Sequence, residues 1–283
     1  MDLARHLKGQ VKKGHYPPLL KGKTLAMIFE KPSNRTRVSF EVGMFQLGGM
    51  AIPIQGSEIG MGIREPIPDV SRTLCRYVDG IMIRAKSHTT LEVFAENATK
   101  PVINGLSDTF HPCQAMADIM TIQEKKKSFE KITLCYIGDG NNVCHSLMEL
   151  CSLLNISMVV TCPKGYEPSI AIPPYVTLES NVKKSIQGAD VVYTDVWTSM
   201  GQEEERINHL RDFKEYTVSL DLLKYAKPDV LFMHCLPAKR GEEVTDNVME
   251  SRYSVVFDQA ENRLHVQKAI LVTLMKEGGV YVD

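Results

Sequence analysis

Residues 132–161 read ITLCYIGDGNNVCHSLMELCSLLNISMVVT. An apolar run at 132–137 gives way to a Gly-Asp-Gly-Asn-Asn turn at 138–142. An amphipathic stretch at 146–154 and a second apolar, β-branched run at 157–161 follow. Strand, turn, helix and strand in that order predict a crossover unit, which joins parallel strands. The same alternation extends to both sides. Toward the N-terminus, residues 24–30, 50–54, 78–84 and 101–103 read as strands, with helices at 38–47, 91–98 and 111–124. Toward the C-terminus, 189–194 and 230–233 read as strands and 263–277 as a long helix. Alternating elements of this kind predict an α/β protein made of two doubly wound parallel-sheet domains with a cleft between them. The charged segment 125–131, with three consecutive lysines, reads as a solvated connector. The expected division is therefore 1–124, completed by the C-terminal helix 263–283, and 125–262.

Composition narrows the class. A chain of 283 residues with 43% hydrophobic and 24% charged residues has the make-up of a soluble globular protein of one or two domains. Its net charge is -1, so no global field draws it to nucleic acid or to a membrane surface. Anionic ligands would have to be held by local clusters of arginine and backbone donors. No run of apolar residues is long enough for a transmembrane helix. Residues 1–14 carry three lysines and one arginine but no apolar core, which is not the pattern of a secretory signal. Seven cysteines, at 75, 113, 135, 144, 151, 162 and 235, form no C-x-x-C pair. They suggest neither a disulfide framework nor a zinc site, and they fit a reducing cytoplasm.

Five segments carry candidate chemistry. Ser33-Asn34-Arg35-Thr36-Arg37 stands where a strand runs out into a helix. Unpaired N–H groups, the positive dipole end, two arginines and two hydroxyls there suit phosphate oxygens. The plainer reading is a helix cap with solvated arginines. His111-Pro112-Cys113-Gln114 opens another helix, and its His and Gln can address one small polar group. Gly138-Asp139-Gly140-Asn141-Asn142 resembles a dinucleotide turn, but the third glycine would fall on Val143, which argues against nicotinamide binding. Asp195-Val196-Trp197-Thr198-Ser199-Met200-Gly201 and His234-Cys235-Leu236-Pro237-Ala238 each follow a strand, where polar residues project from a parallel sheet. An Asp and a Cys converging there could hold an ammonium group and favour its deprotonation, although a free cysteine is more often core filling. Near the C-terminus, Glu261-Asn262-Arg263 places an arginine at the expected opening of the last helix.

Together and in this order, these segments resemble the aspartate/ornithine carbamoyltransferase family over residues 19–282. Ser33–Arg37 is similar to the family's S-T-R-T-R phosphate loop, with Asn34 in place of Thr, and His111–Gln114 to its H-P-x-Q. The D-x-x-x-S-M-G segment at 195–201 and H-C-L-P-A at 234–238 point to the ornithine branch. The resemblance implies that Ser33, Asn34, Arg35 and Thr36 bind the phosphate of carbamoyl phosphate. It implies that Arg84 bridges the phosphate and carbonyl oxygens, and that His111 and Gln114 bind the carbamoyl oxygen and amide. Cys235, Leu236 (through its backbone) and Arg263 complete that set. Ornithine would be bound by Asn142, Asp195, Ser199 and Met200, with Cys235 and Asp195 orienting its δ-amine. Arg84, His111, Asp195 and Cys235 are thus the expected catalytic residues.

The resemblance further implies that no metal or organic cofactor is required. It implies a homotrimer, or an assembly of trimers, whose active sites are shared through segment 57–68. Glu58 stands there where ornithine enzymes usually carry Gln, a carboxylate that Arg64 or a proton would have to compensate. The chain also starts partway into the family's first helix. Neither nucleic acid nor membrane is an expected partner, and the direction of arginine metabolism is left open. Three alternatives stand beside this reading: a carbamoyltransferase acting on another amine, a binding protein of the same fold without turnover, and a nicotinamide-dependent dehydrogenase.

Overall fold

The computed structural model describes residues 1–198 and 206–276. The chain divides into two compact units, one comprising Met1–Cys113 and the residues from Asn262 onward, the other Gln114–Glu261. Both are parallel α/β sheets covered by helices, as the alternating pattern predicts.

The first unit contains α1 (Asp2–Lys12), β1 (Thr24–Phe29), α2 (Asn34–Gln46), β2 (Met50–Gln55), α3 (Gly56–Ile59), α4 (Ile67–Leu74), β3 (Gly80–Arg84), α5 (His88–Glu96) and β4 (Val102–Leu106). Its strands lie in the order β2-β1-β3-β4, all parallel. The central strands are apolar throughout because both of their faces are covered. Leu25, Met27 and Phe29 pack with Leu7 of α1, Phe40 and Met44 of α2, and Leu271, Val272 and Met275 of the C-terminal helix. Ala26 and Ile28 point the other way, to Val70 of α4 and to Leu91 and Phe94 of α5. Edge strand β2 accommodates Pro53, whose missing N–H would interrupt a central strand.

The second unit holds α6 (Pro112–Lys126), which begins in the first, then β5 (Thr133–Ile137), α7 (Asn142–Leu153), β6 (Ser157–Thr161), β7 (Val176–Leu178), α8 (Val182–Ser185) and β8 (Val191–Thr194). After them come α9 (Arg206–Asp212), a 3-10 turn (Lys214–Tyr216), α10 (Leu220–Leu223), β9 (Leu231–His234), α11 (Asp246–Met249) and α12 (Val256–Met275). The parallel strand order is β7-β6-β5-β8-β9. Leu134 and Tyr136 pack toward Ile119 of α6 and Leu147 of α7. Cys135 and Ile137 face Ile186, Leu222 and Val248. Each fully buried Leu, Ile or Phe contributes about 1.5–3 kcal/mol, whereas an exposed ion pair contributes roughly 0–1 kcal/mol. The sheet faces therefore outweigh the surface salt bridges in holding the fold.

Three elements depart from the sequence expectation. Helix α7 starts at Asn142 rather than 146, because Asn141 caps it by accepting from Val143 N and Cys144 N. Helix α6 continues through Lys126, and the first two lysines of the charged run are paired, Lys125 Nζ with Asp258 at 2.7 Å and Lys126 Nζ with Asp229 at 2.8 Å. Lys127, with φ of 67°, makes the turn. Helix α12 begins at Val256, so Arg263 lies two turns inside it and does not open it. Buried Val256 and Gln259 start the helix earlier.

Both strand orders reverse direction beside the first strand of the sheet, between β1 and β3 in one unit and between β5 and β8 in the other. Loops leaving the carboxyl ends of such neighbouring strands diverge to opposite faces and open a crevice where ligands bind. The candidate segments fall there: 33–37 after β1, Arg84 at the end of β3, 138–142 after β5 and 195–198 after β8. No helix among the described residues is long and apolar enough to cross a membrane.

Candidate active site

In the first unit, the strand-end geometry assembles a cationic site. Ser33 is the N-cap of α2, in extended conformation, and its hydroxyl accepts from Thr36 N at 3.3 Å. Capping and anion binding are compatible, since the cap leaves other first-turn N–H groups aimed outward. Thr36 is buried, and its Oγ1 accepts from Arg263 Nη2 at 3.2 Å. Arg35 is half-buried and Asn34 exposed. Arg37 takes the plainer course, pairing on the surface with Glu41 at 3.0 Å.

Arg84, His111 and Arg263 are all buried. Burial pushes the His111 imidazole well below its usual range, and the charges of Arg263, Arg84 and Arg35 push it further the same way. It is therefore neutral near pH 7 and can donate a hydrogen bond to a carbonyl oxygen without adding charge. Gln267, with its carboxamide oxygen turned to the guanidinium, accepts from Arg263 Nε at 3.2 Å and Nη2 at 3.0 Å and donates to Ser39 Oγ at 2.5 Å. Ser39 in turn donates to Arg35 O at 2.6 Å. Gln267 escapes a motif reading because its only signal is its position one turn beyond Arg263 on the same helix.

In the second unit the site centres on a carboxylate. Asp195 is buried just past β8. Its Oδ1 accepts from Val196 N at 2.8 Å and from the Cys235 thiol at 2.9 Å, and its Oδ2 accepts from Asn141 Nδ2 at 2.9 Å. Asn141 is thus both helix cap and carboxylate holder. Its place one residue before a helix start is the signal that could have identified it. The predicted Asn142 occupies the first helical position and is half-buried. Ser199 and Met200 lie outside the described residues. Gly140 serves close packing: a Cβ there would meet Pro168 N at 2.3 Å. That contact accounts for the glycine without a phosphate.

Cys235 differs from the other cysteines in being half-exposed. Burial pushes the Cys113 thiol up to about 11 and those of Cys135, Cys151 and Cys162 up to about 12, which leaves them inert core residues. The loop carrying Cys235 is fixed from beneath by His234. Its Nδ1 accepts from Leu236 N at 2.9 Å, so Nε2 carries the proton and faces Glu243 Oε1 at 3.1 Å. Leu236 adopts a left-handed φ of 60° before a cis peptide bond to Pro237. With its N–H committed, the backbone group Leu236 can offer a ligand is its carbonyl oxygen. Asp195, His234 and Cys235 bring ligand-type atoms within 4.8 Å of one another. Both ring nitrogens of His234 are engaged, however, so the trio does not present three ligands to a metal.

Gln114 is buried and bound to Asp118 through Nε2 at 2.7 Å. The structure therefore brings Arg35, Thr36, Arg84, His111 and Arg263 together in one unit and Asp195 with Cys235 in the other. One unit gathers guanidinium groups about a neutral imidazole and the other a carboxylate bonded to a thiol, a donor set and an acceptor set compatible with group-transfer chemistry on an α/β fold.

The comparisons with known proteins agree. The carbamoyl-P binding domain of aspartate/ornithine carbamoyltransferase matches residues 1–124, and the Asp/Orn binding domain of the same family matches residues 130–274. The chain belongs to the aspartate/ornithine carbamoyltransferase family. It is 50% identical to an ornithine carbamoyltransferase of Archaeoglobus fulgidus, across 99% of this chain and 94% of that protein. It is also 50% identical to an anabolic ornithine carbamoyltransferase of Pyrococcus furiosus, across 99% and 92%. The solved ornithine carbamoyltransferase of Pyrococcus furiosus superposes with a TM-score of 0.94 at 50% identity, covering 98% of this chain and 91% of that one. The ornithine transcarbamoylase of Giardia lamblia gives a TM-score of 0.86 at 32% identity, with 98% and 92% covered.

Proposed function

We propose that this protein transfers the carbamoyl group of carbamoyl phosphate to the δ-amine of L-ornithine, forming L-citrulline and phosphate. The observation that carries the reading is the Cys235 thiol on Asp195 at 2.9 Å, with Asn141 holding the other carboxylate oxygen. That carboxylate–thiol pair suits an amine acceptor. Identity of 50% to several ornithine carbamoyltransferases supports the same acceptor.

In this reading the first unit binds carbamoyl phosphate through Ser33, Asn34, Arg35, Thr36, Arg84, His111 and Arg263. Gln114 and the Leu236 carbonyl take the carbamoyl amide, while Asn142, Asp195, Ser199 and Met200 bind ornithine. The uncharged δ-nitrogen attacks the carbonyl carbon, and the oxygen gains negative charge. Collapse of the adduct breaks the C–O bond to phosphate, and the nitrogen of the new C–N bond loses its extra proton to the departing phosphate. Arg84 and neutral His111 stabilise the oxyanion, each donor contributing about 3–4 kcal/mol. Asp195 and Cys235 orient the nitrogen. A free δ-amine, like a lysine side chain, titrates near 10.4, so the rate rises with pH as the attacking form becomes populated.

Assembly as a homotrimer, or as a larger set of trimers, belongs to the proposal. Val38, Val42 and Phe45 on α2 and Met50 and Ile52 on β2 are exposed apolar residues beside segment 57–68, a surface that association would cover. Within that segment Glu58 Oε2 accepts from Gln55 N at 3.2 Å, and Arg64 binds the Glu58 carbonyl at 3.0 Å. The carboxylate is thus engaged locally. We place the enzyme in the cytoplasm, in the biosynthetic direction that the anabolic relative favours. The test is a stoichiometry measurement. Incubation with carbamoyl phosphate and ornithine should release citrulline and phosphate in equal amounts; phosphate release without citrulline would refute the proposal.

A further inference from the structure

Gln114 is one member of a buried hydrogen-bond chain that reaches the loop bearing Cys235. Its Nε2 donates to Asp118 Oδ1 at 2.7 Å, one turn along α6. Gln259 Nε2 donates to the same oxygen at 2.7 Å, and the Tyr193 hydroxyl donates to Asp118 Oδ2 at 3.0 Å. Gln259 Nε2 also reaches Tyr193 Oη at 3.2 Å, while its Oε1 accepts from His234 N at 3.0 Å. Gln114, Asp118, Tyr193, Gln259 and His234 are each at most 1% exposed. Burial keeps these contacts out of bulk solvent, where an unpaired polar group is costly.

The direction of every bond follows from one starting point. A backbone N–H can only donate, so Gln259 must turn its oxygen to His234 and its amide nitrogen to Asp118. Burial and the Asp118 charge push the Tyr193 phenol well above its usual range, which keeps it a donor. Three donors then converge on one carboxylate. An ionised carboxylate only accepts, so the end of the Gln114 carboxamide that meets it is the NH2. The opposite end of the carboxamide is then its carbonyl oxygen.

We infer that Asp118 is a specificity-determining positioning residue: by fixing Gln114 with its carbonyl oxygen outward, it selects a donor group that carries an NH2 over one that carries a methyl. This rests on the carbamoyl-transfer reading and adds to it the device that distinguishes carbamoyl phosphate from acetyl phosphate. An acceptor meeting a methyl group is left without a partner, and sites built to hydrogen-bond a substrate group reject analogues that lack it. The proposed phosphate ligands Ser33, Arg35 and Thr36 take no part in this chain of bonds.

The test compares three ligands on the full-length enzyme: KM for carbamoyl phosphate and inhibition constants for acetyl phosphate and inorganic phosphate. Asp118→Leu leaves Gln114 free to turn, and the preference for carbamoyl over acetyl phosphate should fall about tenfold or more while the phosphate constant stays within twofold. Asp118→Asn, which keeps an acceptor oxygen toward Gln114, should restore part of the preference. Tyr193→Phe, the mildest change, should lower it by about threefold and decides the matter if Asp118→Leu does not fold. An unchanged preference in the folded variants, or parallel loss of all three affinities, would overturn the inference. Citrulline formation by the unmodified enzyme is measured alongside. Its absence would instead count against the proposed function.

Discussion

The two units use the same architecture for opposite electrostatic ends. In each, a parallel sheet reverses its strand order next to its first strand, and polar side chains project from the loops at that point. In the first unit the side chains are guanidinium groups of Arg35, Arg84 and Arg263, which reinforce burial in keeping His111 uncharged. In the second unit a single carboxylate, Asp195, collects donors from Asn141, Val196 and Cys235. The sheet decides where a ligand can bind, and a handful of loop residues decides its charge. In the proposed reaction, that separation would let one fold serve a leaving anion with one unit and an attacking amine with the other.

The comparison can be broken most severely at Arg84. Arg84→Met removes a donor from the developing oxyanion and should lower kcat/KM by about 100- to 1000-fold, read in a citrulline assay. The counterpart in the second unit is Asp195→Asn. Loss of the charge that holds the amine should cost roughly 100-fold in kcat/KM for ornithine while carbamoyl phosphate binding, followed by calorimetry, stays near its original value. Equal damage to both substrates would erase the distinction between the units. Asn141→Ala sharpens the comparison with a smaller effect: about tenfold in activity through the loosened Asp195, and about 1 kcal/mol of stability through the lost helix cap, measured by denaturant unfolding.

The smallest expected effect concerns acid stability. Burial and three arginines hold the folded-state pKa of His111 below the value near 6.5 that it has when unfolded. As the pH falls below 6.5 the unfolded chain takes up a proton that the native protein refuses, so stability declines with falling pH in that window. His111→Asn should flatten the dependence by up to about 1.4 kcal/mol per pH unit there, and leave the range above pH 7 unaffected.

Much of this organisation was legible in the sequence, for identifiable reasons. Strands such as 24–29 and 133–137 are apolar on both faces, and intervening amphipathic helices leave few arrangements other than a covered parallel sheet. The placement of Ser33, Arg35, His111 and Cys235 at strand and helix ends was legible. The residues that hold them were not. Asp118, Gln259 and Gln267 are polar residues inside helices, a pattern that ordinarily marks a solvated face. Their burial depends on the packing of α6 and α12 against strands distant in sequence. Asn141 was hidden by a helix placed four residues late, and the true start of α12 by Glu261, which imitates a first-turn acid although Asp258 is the one that stands in the first turn.

The most direct measurement offers the enzyme a choice of acceptor. Carbamoyl phosphate is supplied with equal concentrations of ornithine, aspartate, putrescine and N-acetylornithine, and the products are separated by mass. An anion-binding subsite in the first unit and an Asp195–Cys235 amine subsite in the second predict citrulline as the dominant product, rising with pH. Carbamoyl-aspartate as the main product, or indifference among the acceptors, would contradict the account.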